Sequence, residues 1–193
     1  MTHKVVVENA ASLQAWQHVL LAAFARYAEC CPAESGVAAL FSDFVARNAD
    51  AAERGLRAGH LTGSAWLVGA GGKRVLLTHH RKLDRWLQLG GHADGDTDLA
   101  CVALREAEEE SGLRGLAVEG DIFDLDRHAI PARGDEPAHW HYDVRYVVRA
   151  TASEDFVVGE ESHALAWRDI AQIALDDDAD ESLRRMARKW LAR

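Results

Sequence analysis

The sequence predicts a layered α/β protein with a helical region ahead of its first strand. After about residue 59, short strand-like runs are followed by a helical pattern, more strands and a closing helix, an order typical of a layered α/β domain. Before that point the chain shows helical periodicity. We therefore expect an N-terminal helical extension over residues 1–57 and a second unit, which carries the strands, over residues 58–193.

The composition is that of an ordinary globular protein with one sizeable core. The chain has 193 residues, of which 48% are hydrophobic and 27% are charged. The net charge of −9 argues against a nucleic acid polymer as partner, although a bound cation would still allow a nucleotide to bind. The sequence has no signal-peptide core and no apolar run long enough to span a bilayer, so we expect no membrane partner. Its three cysteines show no disulfide or zinc spacing, and we therefore expect a cytoplasmic protein.

The N-terminal region is expected to form two or three helices. Residues 11–28 alternate apolar and polar side chains with helical period, and Pro32 breaks the pattern. Residues 34–57 are predicted to form one or two further helices. The side chains expected to face inward there are Leu40, Phe41, Phe44 and Val45. This region could be a cap, an element of a homodimer or a lid, and we favour a plain helical layer over the sheet.

The rest of the chain is expected to contain the strands and three helices. The strand candidates are Ser64–Val68, Val75–Thr78, Trp86–Leu89, Leu116–Ile130, Tyr142–Ala150 and Leu165–Trp167. The glycine-rich residues 69–72 predict a hairpin between the first two strands. The helix candidates are Asp98–Ser111, Asp169–Ile173 and Glu181–Ala192.

The most informative stretch, residues 91–113, leads from a glycine turn into a helix with a crowded acidic face. Glu106, Glu109 and Glu110 are spaced i, i+3 and i+4, so a helix places them on one face. Like charges this close are unfavourable unless something offsets them, and a hard divalent cation with oxygen ligands would do so. Arg105 precedes Glu109 by four residues, and we expect it to hydrogen-bond that carboxylate. A solvated acidic face is the plainer alternative.

The same stretch resembles the signature of the Nudix hydrolases, G-x5-E-x7-R-E-U-x-E-E-x-G-U, in which U is an aliphatic residue. The matching positions are Gly91, Arg105, Glu106, Glu109, Glu110, Gly112 and Leu113, with Ala107 at the first U. One position departs from the pattern, because Thr97 stands where the family has its first glutamate. A pattern of many positions at fixed spacing is far more specific than a lone glycine motif.

The resemblance implies the Nudix fold, an α/β/α sandwich with a mixed sheet, and the Nudix reaction. In that reaction water attacks a phosphorus of a pyrophosphate bridge, so the implied partner is a small-molecule pyrophosphate or nucleotide. The catalytic residues implied are Arg105, Glu106, Glu109 and Glu110, and the three glutamates are also the implied ligands of Mg²⁺ or Mn²⁺. Gly90 and Gly91 would let the backbone approach the substrate phosphate.

Other candidate site residues lie outside the signature or in its loop. Glu161 precedes a late strand, and many Nudix enzymes draw a metal ligand or general base from such a loop; an exposed acidic loop is the alternative. His80 and Arg81 follow the second strand, where they could receive a polyphosphate. If a carboxylate has to replace the one missing at Thr97, the aspartates at 94, 96 and 98 or Glu161 could supply it.

His139 and His141 are expected on the same face of a strand. Two histidines alone do not make a zinc site, which needs more ligands. The functional interpretation is substrate contact, with Trp140 or Tyr142 stacking on a base, and the plainer one is a packed strand with hydrogen-bonded histidines.

Three functions remain open at this point. The leading hypothesis is a Mg²⁺- or Mn²⁺-dependent hydrolase of a nucleoside diphosphate linked to another group. A non-catalytic nucleotide-binding sensor would be favoured by loss of the metal carboxylates, but three are retained. An isoprenoid-diphosphate isomerase on the same fold would want a cysteine and a glutamate in its pocket, and Cys101 lies off the glutamate face.

Overall fold

The computed structural model describes residues 12–81, 83–134, 136–159 and 162–193. In these ranges the α-helices are α1 (Ala15–Cys30), α2 (Ser35–Arg47), α3 (Leu99–Ser111), α4 (Ile170–Leu175) and α5 (Glu181–Leu191). The strands in the same ranges are β1 (Gly59–Val68), β2 (Arg74–His80), β3 (Arg85–Leu87), β4 (Leu89–His92), β5 (Leu116–Ile130), β6 (His139–Ala150) and β7 (Ser162–Asp169). None of the helices in these ranges is both long and apolar enough to cross a membrane.

The strands form one mixed sheet with β1 near its centre. β1 pairs in parallel with β6, and β6 pairs antiparallel with β5. On its other side β1 pairs antiparallel with β4 and, at its last residue, with β2. β2 in turn pairs antiparallel with β3 and β7. The parallel β1–β6 pairing brings two distant parts of the chain side by side at the middle of the sheet.

Helices α1, α2 and α3 cover one face of the sheet. Phe24 of α1 and Phe41 of α2 are fully buried in one cluster with Val144 of β6. Phe44 stacks on Tyr142 of β6 with 3.8 Å between the ring centroids. The helices expected ahead of the first strand are therefore present, and they share a hydrophobic core with the sheet.

Two details of the predicted N-terminal helices are wrong. α2 ends at Arg47, and turns and irregular backbone occupy residues 48–58. Leu40, an expected core residue, is 46% exposed. It precedes the buried Phe41 by one residue, which on a helix separates the two side chains by about 100°. The rotation turns Leu40 towards solvent.

Helices α4 and α5 cover part of the opposite face. Trp66 of β1 and Val147 of β6 are fully buried beneath Leu183 and Met186 of α5. Helices thus lie on both faces of a mixed sheet, which confirms the predicted α/β/α sandwich. Nearer the start of β1 and β6, the side chains on this second face are polar instead. They are His60, Thr62 and Ser64 of β1, and His139, His141 and Asp143 of β6.

A buried ion network separates the polar and apolar parts of this face. Arg145 of β6 is 2% exposed and donates hydrogen bonds to three carboxylates. The distances are 2.7 Å to Asp143, 3.1 Å to Asp124 and 3.0 Å to Asp126. A buried charge is tolerated only when it is paired and hydrogen-bonded, and here one guanidinium satisfies oxygens from two strands.

α5 neutralises the most buried of these carboxylates, Asp124. Arg185 Nη2 and Lys189 Nζ each lie 2.7 Å from an Asp124 oxygen. Burial alone would raise the pKa of Asp124, but the Arg185 hydrogen bond and the nearby cationic charges outweigh burial and lower that pKa. Lys189 also donates to the Tyr27 hydroxyl at 2.8 Å, so the network ties α5 to α1.

Candidate active site

α3 crosses the sheet in close contact with β1. Asp98 caps its first turn by accepting the Cys101 backbone N–H at 3.1 Å, and the helix ends at Gly112 in the left-handed conformation, with φ of 69°. Gly63 of β1 lets the helix approach, since a Cβ there would lie 2.8 Å from Val102 Cγ1. The apolar side of α3 therefore rests on the sheet, and its glutamates reach the edge formed by β4.

The glutamates of α3 meet the two glycines of β4. Glu110 Oε1 accepts the Gly90 backbone N–H at 2.7 Å. Gly91 has room for no side chain, because a Cβ there would overlap the Glu106 carboxylate. Glu109, the third carboxylate of the face, is exposed. Two of the three predicted carboxylates are thus in contact with the glycine backbone that the sequence associates with phosphate binding.

Arg105 contacts groups other than the expected one. Its Nη2 donates to Glu106 Oε1 at 3.2 Å and to the His92 carbonyl at 3.3 Å, and its Nη1 lies 3.7 Å from an Asp96 oxygen. The predicted hydrogen bond to Glu109 is wrong. The guanidinium turns towards β4 because a backbone carbonyl and a half-buried carboxylate are both in reach there, whereas Glu109 is directed to solvent.

A cleft of about 420 Å³ opens between the β4 glycines and the polar part of the sheet face. Its volume lies in the range of small-molecule sites. Thr62, Ser64 and Asp143 form its floor. Asp94 and Glu106 are among the residues of its walls. Carboxylates, hydroxyls and backbone amides therefore surround one concave space.

The cleft raises the pKa of Glu106. Burial is the largest cause, and the charges of Glu109 and Asp94 act in the same direction, whereas the Arg105 guanidinium opposes them. Each of the raising effects disfavours the ionised carboxylate. A cation in the cleft would reverse that balance, because opposite charge favours ionisation.

The glutamates fit a hard divalent cation that retains part of its water. Among the described His, Cys, Asp and Glu side chains, one group brings three ligand atoms within 4.8 Å of one another, namely His60, His92 and His141. The α3 glutamates do not form such a group, so their carboxylate oxygens are more widely spaced. Mg²⁺ is usually held by one or two carboxylates together with water and substrate phosphates, and not by a closed protein cage. Glu106 and Glu110, beside the glycine backbone, offer the oxygen ligands that Mg²⁺ or Mn²⁺ prefers.

The aspartates around Thr97 occupy separate positions. Asp98 caps α3, while Asp96 accepts the Asp98 backbone N–H at 3.0 Å and approaches Arg105. Asp94 lines the cleft. Thr97 lines a different cavity, next to α1. Of the three candidate replacements in this loop, Asp94 is the one that the fold brings to the glutamates.

We expect Thr97→Glu to leave turnover within about fivefold of wild type, equivalent to about 1 kcal/mol, because residue 97 faces α1 and not the cleft. Asp94→Asn is expected to lower turnover more, because it removes a carboxylate that lines the cleft. Asparagine tolerates the left-handed backbone there, where φ is 47°. Turnover of both variants on one substrate is the measurement. A large gain from Thr97→Glu would contradict this placement.

The predicted phosphate contacts divide between the cleft and the surface. His80, Gly90 and Gly91 line the cleft. Arg81 is exposed, and its Nη2 donates to the Ser162 carbonyl at 3.3 Å. The fold therefore brings His80 towards the substrate region and holds Arg81 against β7.

Trp140 is not brought to the cleft, which corrects its expected role in stacking on a substrate base. Side chains alternate along β6, so Trp140 points to the face opposite that of His139 and His141. Arg127 covers its ring there, with the guanidinium carbon 4.1 Å from the ring centroid. Glu161, the predicted general base, lies outside the described residues.

Several cleft residues carry no role in the sequence analysis. Arg54, His92 and Asp143 all line the cleft. Asp143 Oδ1 accepts hydrogen bonds from two β1 hydroxyls at 2.9 and 2.7 Å. The available signal is polar residues at every second position of β1 and β6, which are otherwise apolar strands. For Arg54, which lies in a turn region, the sequence carries no such signal.

Comparison with known proteins identifies the family of this site. A glutamate-bearing helix above a glycine strand, on a mixed sheet between helices, is the arrangement that the signature implies. A profile of the NUDIX domain matches residues 60–190, which is more than half of the chain. The chain belongs to the Nudix family, and the predicted family and enzyme class, a pyrophosphohydrolase, are confirmed. A search of curated protein sequences gave no match.

Solved structures of Nudix proteins share the fold. An Ap4A hydrolase from C. elegans is 18% identical with a TM-score of 0.54, and the match covers 68% of this chain and 95% of that one. The E. coli dihydroneopterin triphosphate pyrophosphohydrolase is 19% identical with a TM-score of 0.56, covering 68% and 94%. A MutT protein from Methanosarcina mazei Go1 is 17% identical with a TM-score of 0.54, covering 71% and 96%. At these identities the likeness establishes a common fold.

Proposed function

We propose that this protein is a Mg²⁺- or Mn²⁺-dependent hydrolase that cleaves the pyrophosphate bond of a nucleoside diphosphate linked to another group. The observation that carries the proposal is the contact of Glu106 and Glu110 with Gly90 and Gly91 at the edge of the cleft. It places carboxylate oxygens and accessible backbone in one position. Those are the groups that a hydrated cation and a phosphate require together.

Each residue of the site has a separate role in the proposed reaction. Glu106, Glu109 and Glu110 would hold the cation, which when bound neutralises phosphate charge and makes an attacking water more acidic. Arg105 holds the Glu106 carboxylate in place through its hydrogen bond of 3.2 Å. Gly91 carries no side chain, so the Glu106 carboxylate can lie directly against the β4 backbone at the edge of the cleft.

The proposed substrate is a small molecule that contains a polyphosphate. The names of two structural neighbours, an Ap4A hydrolase and a dihydroneopterin triphosphate pyrophosphohydrolase, support this class. Arg54 supports it as well, because it places a cationic side chain on the wall of the cleft. A suitable panel contains dinucleoside polyphosphates, oxidised nucleoside triphosphates, nucleotide sugars and coenzyme pyrophosphates.

Turnover is expected to depend strictly on a divalent cation. The purified protein should cleave at least one substrate of the panel with Mg²⁺ or Mn²⁺, lose that activity in excess chelator and regain it when the cation is restored. The reason is that the α3 carboxylates at the edge of the cleft and a polyphosphate would repel each other without a cation between them. Product analysis by chromatography identifies the bond cleaved. Activity that survives thorough chelation would remove the metal mechanism, and tight binding of a nucleotide without cleavage would favour a sensor.

We also propose a cytoplasmic location. Cys30, Cys31 and Cys101 are all free thiols, a state typical of reducing compartments. Cys101 is exposed and its hydrogen bond with Asp98 raises the pKa of the thiol, so it is not a reactive group of the cleft. This observation does not favour the isomerase alternative.

A further inference from the structure

The histidine cluster, defined by His60, His92, His139 and His141, lies at one end of the sheet face that forms the cleft. His60 stands opposite His141 in the parallel β1–β6 register, and His92 stands opposite Thr62 in the β1–β4 register. Residues 60 and 62 share a face of β1, so the side chains converge. The ring centroid of His60 lies between 4.7 and 5.0 Å from those of the other three.

His60 is the most deeply buried member of the cluster and has no hydrogen bond. It is 1% exposed, and neither Nδ1 nor Nε2 has a partner among the described residues. Leaving a buried polar group unsatisfied costs about 1–3 kcal/mol, so the position requires an explanation. A metal ion is a partner that a neutral imidazole binds well.

The surroundings of the cluster favour neutral rings, which are the form that binds metals. Burial, followed by the charges of neighbouring histidines, lowers the pKa of His60 to about 4 and that of His141 to about 2. Burial and the charge of Arg54 also lower the pKa of His92. At neutral pH each ring therefore keeps a lone pair on one nitrogen.

The spacing of the rings suits a single ion. Ligand atoms of His60, His92 and His141 all lie within 4.8 Å of one another. A tetrahedral ion with metal–nitrogen bonds of about 2.0–2.1 Å holds its nitrogens about 3.3–3.4 Å apart. Rotation of imidazoles about χ2, which is a broad torsion, can close the difference.

His139 is a positioning residue for this group. Its Nδ1 lies 2.9 Å from the Pro137 carbonyl, and since a carbonyl only accepts, Nδ1 carries the proton. Its Nε2 then presents a lone pair to His141 Nε2 at 3.3 Å. Outer hydrogen bonds of this kind fix the tautomer and orientation of metal-binding histidines.

We propose that His60, His92 and His141 bind a transition-metal ion of the Zn²⁺ class, with a fourth coordination position open to the cleft. Three imidazoles and one open position are typical of zinc sites that also bind water or substrate. His92 and His141 line the cleft, so the open position is available to a water or a phosphate oxygen. Nitrogen donors separate this site from the carboxylates of α3, which suit harder ions. The site can be occupied whether or not the protein hydrolyses pyrophosphates.

Metal titration tests the proposal. The full-length wild-type protein is stripped with a chelator, titrated with Co²⁺ or Zn²⁺ alone, and analysed by elemental analysis and visible absorption. We expect about one tightly bound ion per chain and, with Co²⁺, the intense visible bands of tetrahedral nitrogen coordination. Absence of stoichiometric binding at neutral pH would overturn the proposal.

Four variants locate the site. His92→Asn and His141→Gln are expected to weaken Zn²⁺ binding about 100-fold or more, because each removes one of three ligands. His163→Ala, an exposed histidine on β7, and Glu109→Gln should bind Zn²⁺ as wild type does. Wild-type affinity in the first pair, or a loss in Glu109→Gln equal to theirs, would contradict the assignment.

X-ray absorption spectroscopy of the Zn²⁺-loaded wild type identifies the coordinating atoms even if a variant does not fold. Three nitrogen ligands at about 2.0–2.1 Å with imidazole scattering are expected. A shell of oxygen ligands alone would show that the ion sits on the glutamates and would overturn the histidine site.

Discussion

Replacing Glu110 with glutamine is expected to lower turnover about 100-fold or more, equivalent to about 3 kcal/mol of lost transition-state stabilisation. Glutamine keeps the length of the side chain, and its carbonyl oxygen can still accept the Gly90 N–H that Glu110 accepts at 2.7 Å. The fold should therefore persist while the charge that attracts the cation is lost. Without metal the variant should melt at an equal or higher temperature, because a like charge beside Glu106 is removed.

Glu108→Gln is the matched control for this experiment. Glu108 lies on the same helix, but its carboxylate pairs with Arg114 at 3.5 Å and does not contact β4. Its replacement should leave turnover unchanged. Turnover is measured on one substrate at saturating Mg²⁺, and again across a range of Mg²⁺ concentrations. Equal turnover in wild type and Glu110→Gln would mean that the acidic face of α3 is only solvated.

Arg145→Met is expected to destabilise the protein by about 3–5 kcal/mol, a large part of the stability of a typical domain. The substitution keeps a long side chain but leaves the 2% exposed carboxylate of Asp143 without its cation, whereas Asp124 keeps Arg185 and Lys189. Removing one member of a buried ion pair is costly because the remaining charge is uncompensated. Chemical unfolding monitored by circular dichroism measures the change.

Arg26→Met is the control for Arg145→Met. Arg26 pairs with Asp121 at 3.1 Å, but the two side chains are 53% and 74% exposed, so the loss of stability should be at most about 1 kcal/mol.

The dependence of stability on pH is a second test of the ion network. The lowered pKa of Asp124 means that its ionised form stabilises the fold above the pKa of an unfolded aspartate and that this contribution is lost as the pH falls through the folded-state pKa. If Arg145→Met lowered the free energy of unfolding only slightly at neutral pH, the role assigned to the ion network would be contradicted.

Local signals predicted the elements that carry the chemistry. α3 occupies Leu99–Ser111 against a predicted Asp98–Ser111, because a capping aspartate and a C-terminal glycine mark its two ends. β5 occupies the predicted Leu116–Ile130. The glutamate face follows directly from the helical period. These features depend on neighbours within a few residues, which are visible in the sequence.

Features that depend on pairing between distant strands were not predictable. The alternation that separates Trp140 from His141 is visible, but the face that meets the cleft depends on the register of β6 with β1. The same register brings His60 to His141 and joins Asp143 to two β1 hydroxyls. Arg105 was misplaced because its choice between Glu109 and a β4 carbonyl depends on where the strand lies.

Asp143 explains how a chain with net charge −9 can offer a floor for a polyanion. Its Oδ1 is committed to the Thr62 and Ser64 hydroxyls, and its Oδ2 accepts from Arg145 at 2.7 Å and from Gln88 at 3.3 Å. The negative charge of Asp143 is thus offset by Arg145, and three of its four partners, Thr62, Ser64 and Arg145, are residues of the central strands β1 and β6. A phosphate chain lying above it meets a rigid, electrically neutral base and not a repelling carboxylate. Hydrogen bonds within the sheet therefore reduce the electrostatic repulsion between the substrate phosphates and the acidic protein beneath them.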